Sequence, residues 1–224
     1  MLVFVTKTMH ISLQEEDNQD MQTIDNKVIS RIYGHGRGWC FTPNDFAEIG
    51  SAESVRISLF RLAKKKIIRR LAKGLYDYPE KHEYLGLLSP DPDTIARALA
   101  HRDAIRIQPT GAYAANLLGL SEQVPAKIVY LTDGRDRSVK LGNREIRLKS
   151  TTHRNMTTAG RISGMIIQAL RYIGKDRLTK EHVEKLRKKL SSDDKKCLTK
   201  DRHHAPAWMH KVFQQISEGR PADA

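Results

Sequence analysis

The chain has few of the features that mark membrane, secreted or metal-binding proteins. Its 224 residues include only two cysteines, Cys40 and Cys197, which make neither a disulfide framework nor a zinc module. No apolar run approaches the roughly 20 residues of a membrane-spanning helix. The apolar opening 1–9 is too short for a secretory leader, and no small-residue cleavage site follows it. We therefore expect a protein of the reducing cytoplasm with no membrane partner.

Acidic residues are also scarce. The chain contains 26 Asp and Glu against 39 Lys and Arg, which gives a formal net charge of +13. Such a balance favours a partner of opposite sign, and nucleic acid is the first choice. Residues 1–20 are the exception, because this segment contains four acids, Glu15, Glu16, Asp17 and Asp20, and a single lysine, Lys7. We interpret 1–20 as a disordered tail and regard Met21, where the organised sequence begins, as a candidate second start site.

The common catalytic signatures are missing as well. The sequence contains no Walker loop, dinucleotide fingerprint or Gly-x-Ser-x-Gly elbow. A metal-dependent nuclease is the sharpest enzyme alternative, with its carboxylates and lysine drawn from Asp133, Asp136, Glu145 and Lys149. Glu145 and Lys149 are four residues apart on a predicted strand, so they do not form the tight Glu-x-Lys pair of many nucleases. Asp133 and Asp136 are better explained as hairpin-loop residues.

A metal site near the C-terminus is the second chemical alternative. Its candidate ligands are His203, His204, His210, Asp201 and Cys197, and imidazole suits zinc or nickel. Their spacing matches no standard zinc module, and adjacent histidines on a helix diverge. We therefore interpret them as ordinary surface residues and predict no catalytic group, metal or cofactor.

The sequence instead concentrates positive charge in the segment 51–74. It carries eight basic residues against the single acid Glu53; they are Arg56, Arg61, Lys64, Lys65, Lys66, Arg69, Arg70 and Lys73. Apolar residues at spacings of three and four predict a helix over 51–66 with one apolar face, formed by Ala52, Val55, Leu59, Leu62 and Ala63. Two strands, 67–71 and 75–78, are predicted to follow, joined by a turn at Gly74.

The preceding segment completes a recognisable order of elements. A helix over 23–33, a short strand at 39–41 and a short helix at 43–48 precede the basic helix and hairpin, which is the order of a winged helix-turn-helix domain. Such a domain places its helix in the major groove of DNA and its hairpin, the wing, on the phosphates. The predicted DNA-binding residues are Ser51, Ser54, Arg56, Arg61, Lys64 and Lys65 on the helix, and Arg69, Arg70 and Lys73 on the wing. The alternative is a solvated basic surface without a ligand.

A Gly- and Pro-containing segment, 85–93, is predicted to link this domain, 21–84, to a second one at 94–174. The second domain is expected to be mixed α/β, and 175–224 a helical extension. The small-residue run 111–115 on a predicted helix indicates that another element packs closely on it. The basic run 185–189 is either a solvated helix face, a second nucleic-acid patch or an anchor for an acidic partner. The expected fold class is α+β, with an N-terminal winged helix, a mixed domain and a helical C-terminal end.

Several motifs between Met21 and about Gly174 resemble the AbiEi-like antitoxins of type IV toxin–antitoxin (abortive infection) systems. They are NDF at 44–46, RL at 61–62, IRRLAKGLYDYP at 68–79, TGAYAANLLGL at 110–120, QVPAK at 123–127 and YLTDG at 130–134. The resemblance implies a bacterial transcriptional autorepressor that is not an enzyme. Its winged helix would bind double-stranded operator DNA, and its second domain would counter a nucleotidyltransferase toxin. A stand-alone regulator without a toxin is the alternative within the same family.

Overall fold

The computed structural model describes residues 23–142 and 144–218. The chain divides after Arg102 into two compact units: unit 1, described from residue 23, and unit 2, described to residue 218. The predicted tail 1–20 lies outside the described residues. The protein is mixed α/β with a helical C-terminal end, which confirms the predicted fold class at that level.

Unit 1 begins with a helix and a short strand and continues into a basic helix and a hairpin. Its elements are α1 (23–35), β1 (Cys40–Phe41), a 3₁₀ helix (Pro43–Phe46), α2 (Ala52–Lys64), β2 (Arg69–Ala72), β3 (Leu75–Asp77), β4 (Lys81–His82), β5 (Gly86–Leu87) and α3 (Pro92–Asp103). These bounds confirm the predicted helix, hairpin and turn of the basic segment to within a few residues.

The first three strands form an antiparallel sheet in the order β1-β3-β2. Cys40 and Arg69 both pair with Asp77 of the central strand, from its two sides. Gly74, with φ of +68°, makes the turn between β2 and β3, a conformation that costs glycine little.

The core of unit 1 lies between α1, α2 and this sheet. Its buried side chains come from α1, β1, the 3₁₀ helix, α2, the residue before β2, and β3; they are Val28, Ile32, Phe41, Phe46, Val55, Leu59, Leu62, Ile68 and Tyr76. The apolar face predicted for α2 therefore packs inward, which leaves the opposite face of the helix outside.

The segment 85–93, which we expected to be a linker, contains β5 and the start of α3. The Asp91 carboxylate accepts hydrogen bonds from the backbone N–H groups of Asp93 and Thr94, at 3.0 and 3.2 Å. Asp91 thus caps α3, and Pro92 occupies the first helical position, where its missing N–H is not needed. Pro92 is a helix-start signal that we interpreted as a linker signal.

Unit 2 combines a four-stranded sheet with helices. Its elements are β6 (Ile107–Pro109), α4 (Gly111–Leu117), β7 (Lys127–Thr132), β8 (Arg137–Leu141), β9 (Arg144–Ser150), α5 (His153–Met156), α6 (Ile162–Ile173), a 3₁₀ helix (Lys175–Arg177), α7 (Lys180–Lys189), α8 (Ser192–Lys200), a 3₁₀ helix (Asp201–His204) and α9 (Ala207–Glu218). The strand order is β6-β7-β9-β8, in which β7 and β9 are parallel and the other neighbours antiparallel.

The core of unit 2 joins α4 and α6 to the C-terminal helices. Ala114 and Ala115 of α4 are fully buried in one cluster with Ile166 and Leu170 of α6 and Phe213 of α9. This confirms the prediction that the small-residue run receives a closely packed element. Among the described helices, none is both long and apolar enough to cross a membrane.

Candidate nucleic-acid interface

The start of α2 is fixed by the two serines predicted to meet DNA. The Ser51 hydroxyl accepts a hydrogen bond from the backbone N–H of Ser54 at 3.1 Å and lies 2.8 Å from the Ser54 hydroxyl. Ser51 is therefore the N-cap of the helix, and capping accounts for both residues without a ligand. Ser51 is exposed at the N-terminal end of the helix, whereas Ser54 is half-buried.

The outward face of α2 forms a stripe, which we name the outer stripe. It consists of the exposed residues Glu53, Arg56, Ile57, Phe60 and Lys64. The opposite face is buried and carries Val55, Ser58, Leu59 and Leu62. Arg56 and Lys64 thus lie where a groove-binding helix needs its cations, and the exposed Lys65 and Lys66 extend the charge at the helix end.

Arg61 lies at the flank of α2, between the outer stripe and the buried face. Its side chain is 42% exposed, and its Nη1 is 3.8 Å from Oδ2 of Asp25 on α1. We expected Arg61 to project away from the apolar face into the groove, whereas the structure turns it towards α1. Around the helix axis, Arg61 is about 200° from Leu59 and so almost opposite to it, but only about 100° from Leu62. It therefore lies at the edge of the buried face, within reach of α1.

Arg69 occupies a structural position, contrary to our expectation that it would hold phosphate. Its Nε and Nη2 donate to the Asp77 carboxylate at 3.1 and 2.6 Å, and Nη2 also donates to the Leu88 carbonyl at 2.8 Å. Asp77 is 1% exposed, so this bidentate pair neutralises a buried charge. The hydrogen bond with Asp77 raises the pKa of Arg69, which therefore stays charged and engaged.

The same carboxylate influences Cys40 across the sheet. Burial, followed by the charge of Asp77, raises the pKa of the Cys40 thiol to about 12. The thiol is consequently protonated at neutral pH and is a poor nucleophile. Cys40 is thus a buried, protonated residue in the core of unit 1.

The tip of the hairpin carries the remaining predicted contacts, Arg70 and Lys73, and both are exposed. A third cation, Arg102 of α3, comes close to the turn, because its Nη1 lies 3.8 Å from where a Cβ on Gly74 would be. Sequence reasoning missed Arg102, since it is far along the chain from the turn. It also missed Phe60, although the helical spacing that defines the outer stripe was sufficient to find it.

The carboxylates considered for a nuclease are engaged elsewhere in unit 2. The Asp133 carboxylate accepts hydrogen bonds from the backbone N–H and the Nε–H of Arg106, both at 2.8 Å. Asp136 accepts from the backbone N–H of Ser150 at 2.6 Å. Both aspartates therefore fasten loops, as their sequence position indicated.

The C-terminal histidines are surface residues, and their acidic neighbour is buried. Asp201, 2% exposed, accepts hydrogen bonds from Ser163 at 2.6 Å and Arg161 at 2.8 Å. Burial alone would raise the pKa of Asp201, but the hydrogen bonds from Ser163 and Arg161, the charge of Arg161 and the hydrogen bond from Cys197 together hold the pKa below its usual value. The described residues contain no cluster of three or more His, Cys, Asp or Glu side chains placed to hold a metal.

The second basic segment, on α7, is largely matched by acids of the same helix. Glu181 pairs with Lys185 at 2.9 Å, and Glu184 pairs with Arg187 at 2.7 Å and with Lys188 at 3.9 Å. Lys189 donates to the Leu117 carbonyl at 2.7 Å. The structure thus favours a solvated helix face over the other interpretations of this run.

Comparison with known proteins places the chain in a family. The chain matches none of the curated proteins. A family model described as a family of unknown function, DUF6088, matches residues 27–198, a range that includes α2, the hairpin and most of unit 2. The chain belongs to this family of unknown function.

Proposed function

We propose that this protein is a DNA-binding transcriptional autorepressor and that unit 1 is its winged helix-turn-helix. The order α1, β1, 3₁₀ helix, α2 and hairpin supports the proposal, as does the sheet order β1-β3-β2. In this assignment α2 is the recognition helix and the β2–β3 hairpin is the wing.

The observation that carries the proposal is the unmatched charge on one side of unit 1. Within the described residues, the ion pairs of this segment involve Arg56, Arg61 and Arg69. They leave Lys64, Lys65 and Lys66 exposed at the end of α2. Unmatched cations on a protruding helix are suited to phosphate, because each one that binds releases a counterion from DNA.

The dimensions of α2 suit the major groove. Its 13 residues span about 20 Å, and the groove is about 12 Å wide, which admits a helix. Arg56 and Lys64 on the outer stripe then face base edges and the groove walls. Arg70 and Lys73 at the wing meet the neighbouring phosphates, which positions the helix without reading sequence.

A salt titration tests this function. The double variant Lys64→Gln/Lys65→Gln should bind a random-sequence 30-base-pair duplex more weakly than the native chain. Its slope of log K against log salt should be shallower by about two, since each neutralised phosphate contributes about 0.9. The matched control Lys185→Gln/Lys188→Gln, on α7, should leave both quantities unchanged. Equal effects of the two double variants, or no duplex binding by the native chain, would contradict the proposal.

We extend the proposal to the antitoxin of a type IV system, in which unit 2 counters a nucleotidyltransferase toxin. This part depends on the resemblance of the motifs at 110–120, 123–127 and 130–134. The first motif forms α4, whose Tyr113, Ala114 and Ala115 are buried, so it specifies the fold of unit 2 and leaves the toxin-binding surface to be found by experiment.

Co-expression tests the antitoxin role. The full chain should restore growth to cells that express a nucleotidyltransferase encoded beside its gene. The variant Lys64→Gln/Lys65→Gln should restore growth equally well, because its changes lie in the DNA-binding unit. Unrelieved toxicity with the native chain would favour a stand-alone regulator, which would bind DNA without a toxin partner.

A further inference from the structure

Two large apolar side chains lie on the outer stripe of α2, where water surrounds them. Phe60 is 61% exposed and Ile57 is 36% exposed. The other large apolar residues of this helix, Val55, Leu59 and Leu62, are at most 3% exposed. Leaving a phenylalanine in water forgoes the burial that stabilises it elsewhere, so Phe60 contributes little to folding from this position.

Ile57 and Phe60 are neighbours on the helix surface and have charged residues at both ends. They are three positions apart, so they lie side by side on one turn. Lys64 follows Phe60 by one turn, Arg56 precedes Ile57, and the stripe continues to Glu53. The outer stripe therefore presents a small apolar centre between cations.

The proposal that follows rests on the DNA-binding function proposed above. We propose that Ile57 and Phe60 read the C5-methyl groups of thymine in the major groove. Of the four bases, only thymine presents a methyl group there, and apolar side chains such as Phe contact it. The preferred site of this protein then carries thymine at the base pairs under the middle of α2. Arg56 and Lys64 contact the base edges and groove walls on either side of these base pairs.

The charges beside the apolar centre favour DNA over a protein partner. Lysine is depleted at the centre of protein–protein interfaces, where apolar side chains are buried against one another. Here Lys64 shares the stripe with Phe60, and Lys65 and Lys66 follow at the helix end. A surface lined by phosphates accommodates both the cations at the edges and the apolar side chains over base edges.

Replacing thymine with deoxyuridine tests the inference, because this change removes only the methyl group. Duplexes that the full-length chain enriches from a random pool are resynthesised with one thymine at a time changed to deoxyuridine. The native chain should lose about fourfold in affinity for each contacted methyl group, the equivalent of one buried CH₂. Phe60→Ala should bind more weakly and should lose this sensitivity at one or more positions.

Controls separate contact from general damage. Phe60 is mostly exposed, so Phe60→Ala should melt at the native temperature. Tyr172→Ala removes another exposed aromatic ring, 45% exposed on α6, and should retain the full sensitivity to deoxyuridine.

The outcomes distinguish this inference from the function on which it rests. If the native chain enriches and binds duplexes but tolerates deoxyuridine everywhere, methyl readout is refuted and DNA binding stands. If deoxyuridine weakens DNA binding equally for the native chain, for Phe60→Ala and for Ile57→Ala, other residues sense the methyl groups and the inference fails. If Phe60→Ala binds every duplex as the native chain does, Phe60 does not contact DNA and the inference fails. If the native chain binds no duplex, the proposed function itself fails.

Discussion

The helices α2 and α7 are both basic, but their positive charges are arranged differently. On α7, Glu181 and Glu184 lie one turn from the lysines and arginine that they pair with, at 2.7 to 3.9 Å. The hydrogen bond from Lys185 lowers the pKa of Glu181. On α2 the single acid Glu53 reaches Arg56 at 3.5 Å, and three consecutive lysines end the helix without a neighbouring acid in sequence.

Our proposal therefore assigns nucleic-acid binding from the arrangement of the cations on each helix and not from their number. Acids spaced three and four residues from cations on one helix neutralise that face and support the helix. Cations whose neighbours are apolar or also basic retain their field and attract phosphate. By this criterion we assign the proposed DNA surface to α2 and the β2–β3 hairpin, and we interpret α7 as a solvated face of unit 2.

The largest expected effect distinguishes two adjacent arginines within the basic segment. Arg69→Ala leaves the buried Asp77 carboxylate without its partner and should lower the free energy of unfolding by about 3 kcal/mol. Arg70→Ala, one residue away and exposed, should change it by less than about 0.5 kcal/mol. Urea unfolding of both variants measures the difference. If Arg69→Ala lowered the free energy of unfolding as little as Arg70→Ala does, the Arg69–Asp77 pair would have no structural role.

Much of unit 1 was predictable because its signals are local. The spacing of Val55, Leu59 and Leu62 predicts α2, and Gly74 predicts the turn after β2. The engagement of Arg69 was not predictable, since it depends on which residue of β3 lies opposite β2. Arg102 beside Gly74 likewise reflects the packing of a distant helix, which a sequence pattern does not contain.

In unit 2 the start of a helix can have a local signal that we did not use. The helix α8 begins with a capping box in which Ser191 and Asp194 satisfy each other's backbone N–H groups, and the Ser-x-x-Asp spacing is visible in the sequence. The helix α6 begins at Ile162. Gly164 near its start has no room for a side chain, because a Cβ would meet the Thr158 carbonyl. That close approach is a tertiary contact and is invisible from sequence.

A smaller effect separates the two faces of α2. The Ser58 hydroxyl is buried on the inner face and has no hydrogen-bond partner within the described residues. Ser58→Ala removes this unpaired polar group and should raise the free energy of unfolding by about 1 kcal/mol. Duplex affinity should stay the same, since the proposed DNA surface lies on the opposite face of the helix. A loss of stability would show that the hydroxyl has a partner in solution, and a loss of affinity would place the DNA surface elsewhere.

The smallest effect concerns the acids of α7. Glu181→Gln/Glu184→Gln removes the partners of Lys185, Arg187 and Lys188, which are mainly exposed pairs of little energetic value. The melting temperature should therefore shift by no more than about a degree. Affinity for random duplex at low salt should rise, because the released cations add to the positive field. Unchanged affinity would mean that pairing with these acids does not control the affinity of the protein for duplex DNA.

Lysine acetylation with and without duplex DNA tests the central claim most directly, because one sample reports on both helices. The full chain is treated briefly with an acetylating reagent, and each lysine is quantified by mass spectrometry. We predict that excess duplex slows the acetylation of Lys64, Lys65 and Lys73 severalfold and leaves Lys185 and Lys188 unchanged. Protection of the α7 lysines, with Lys64, Lys65 and Lys73 as reactive as in the free chain, would contradict the assignment of α2 and the wing as the DNA surface.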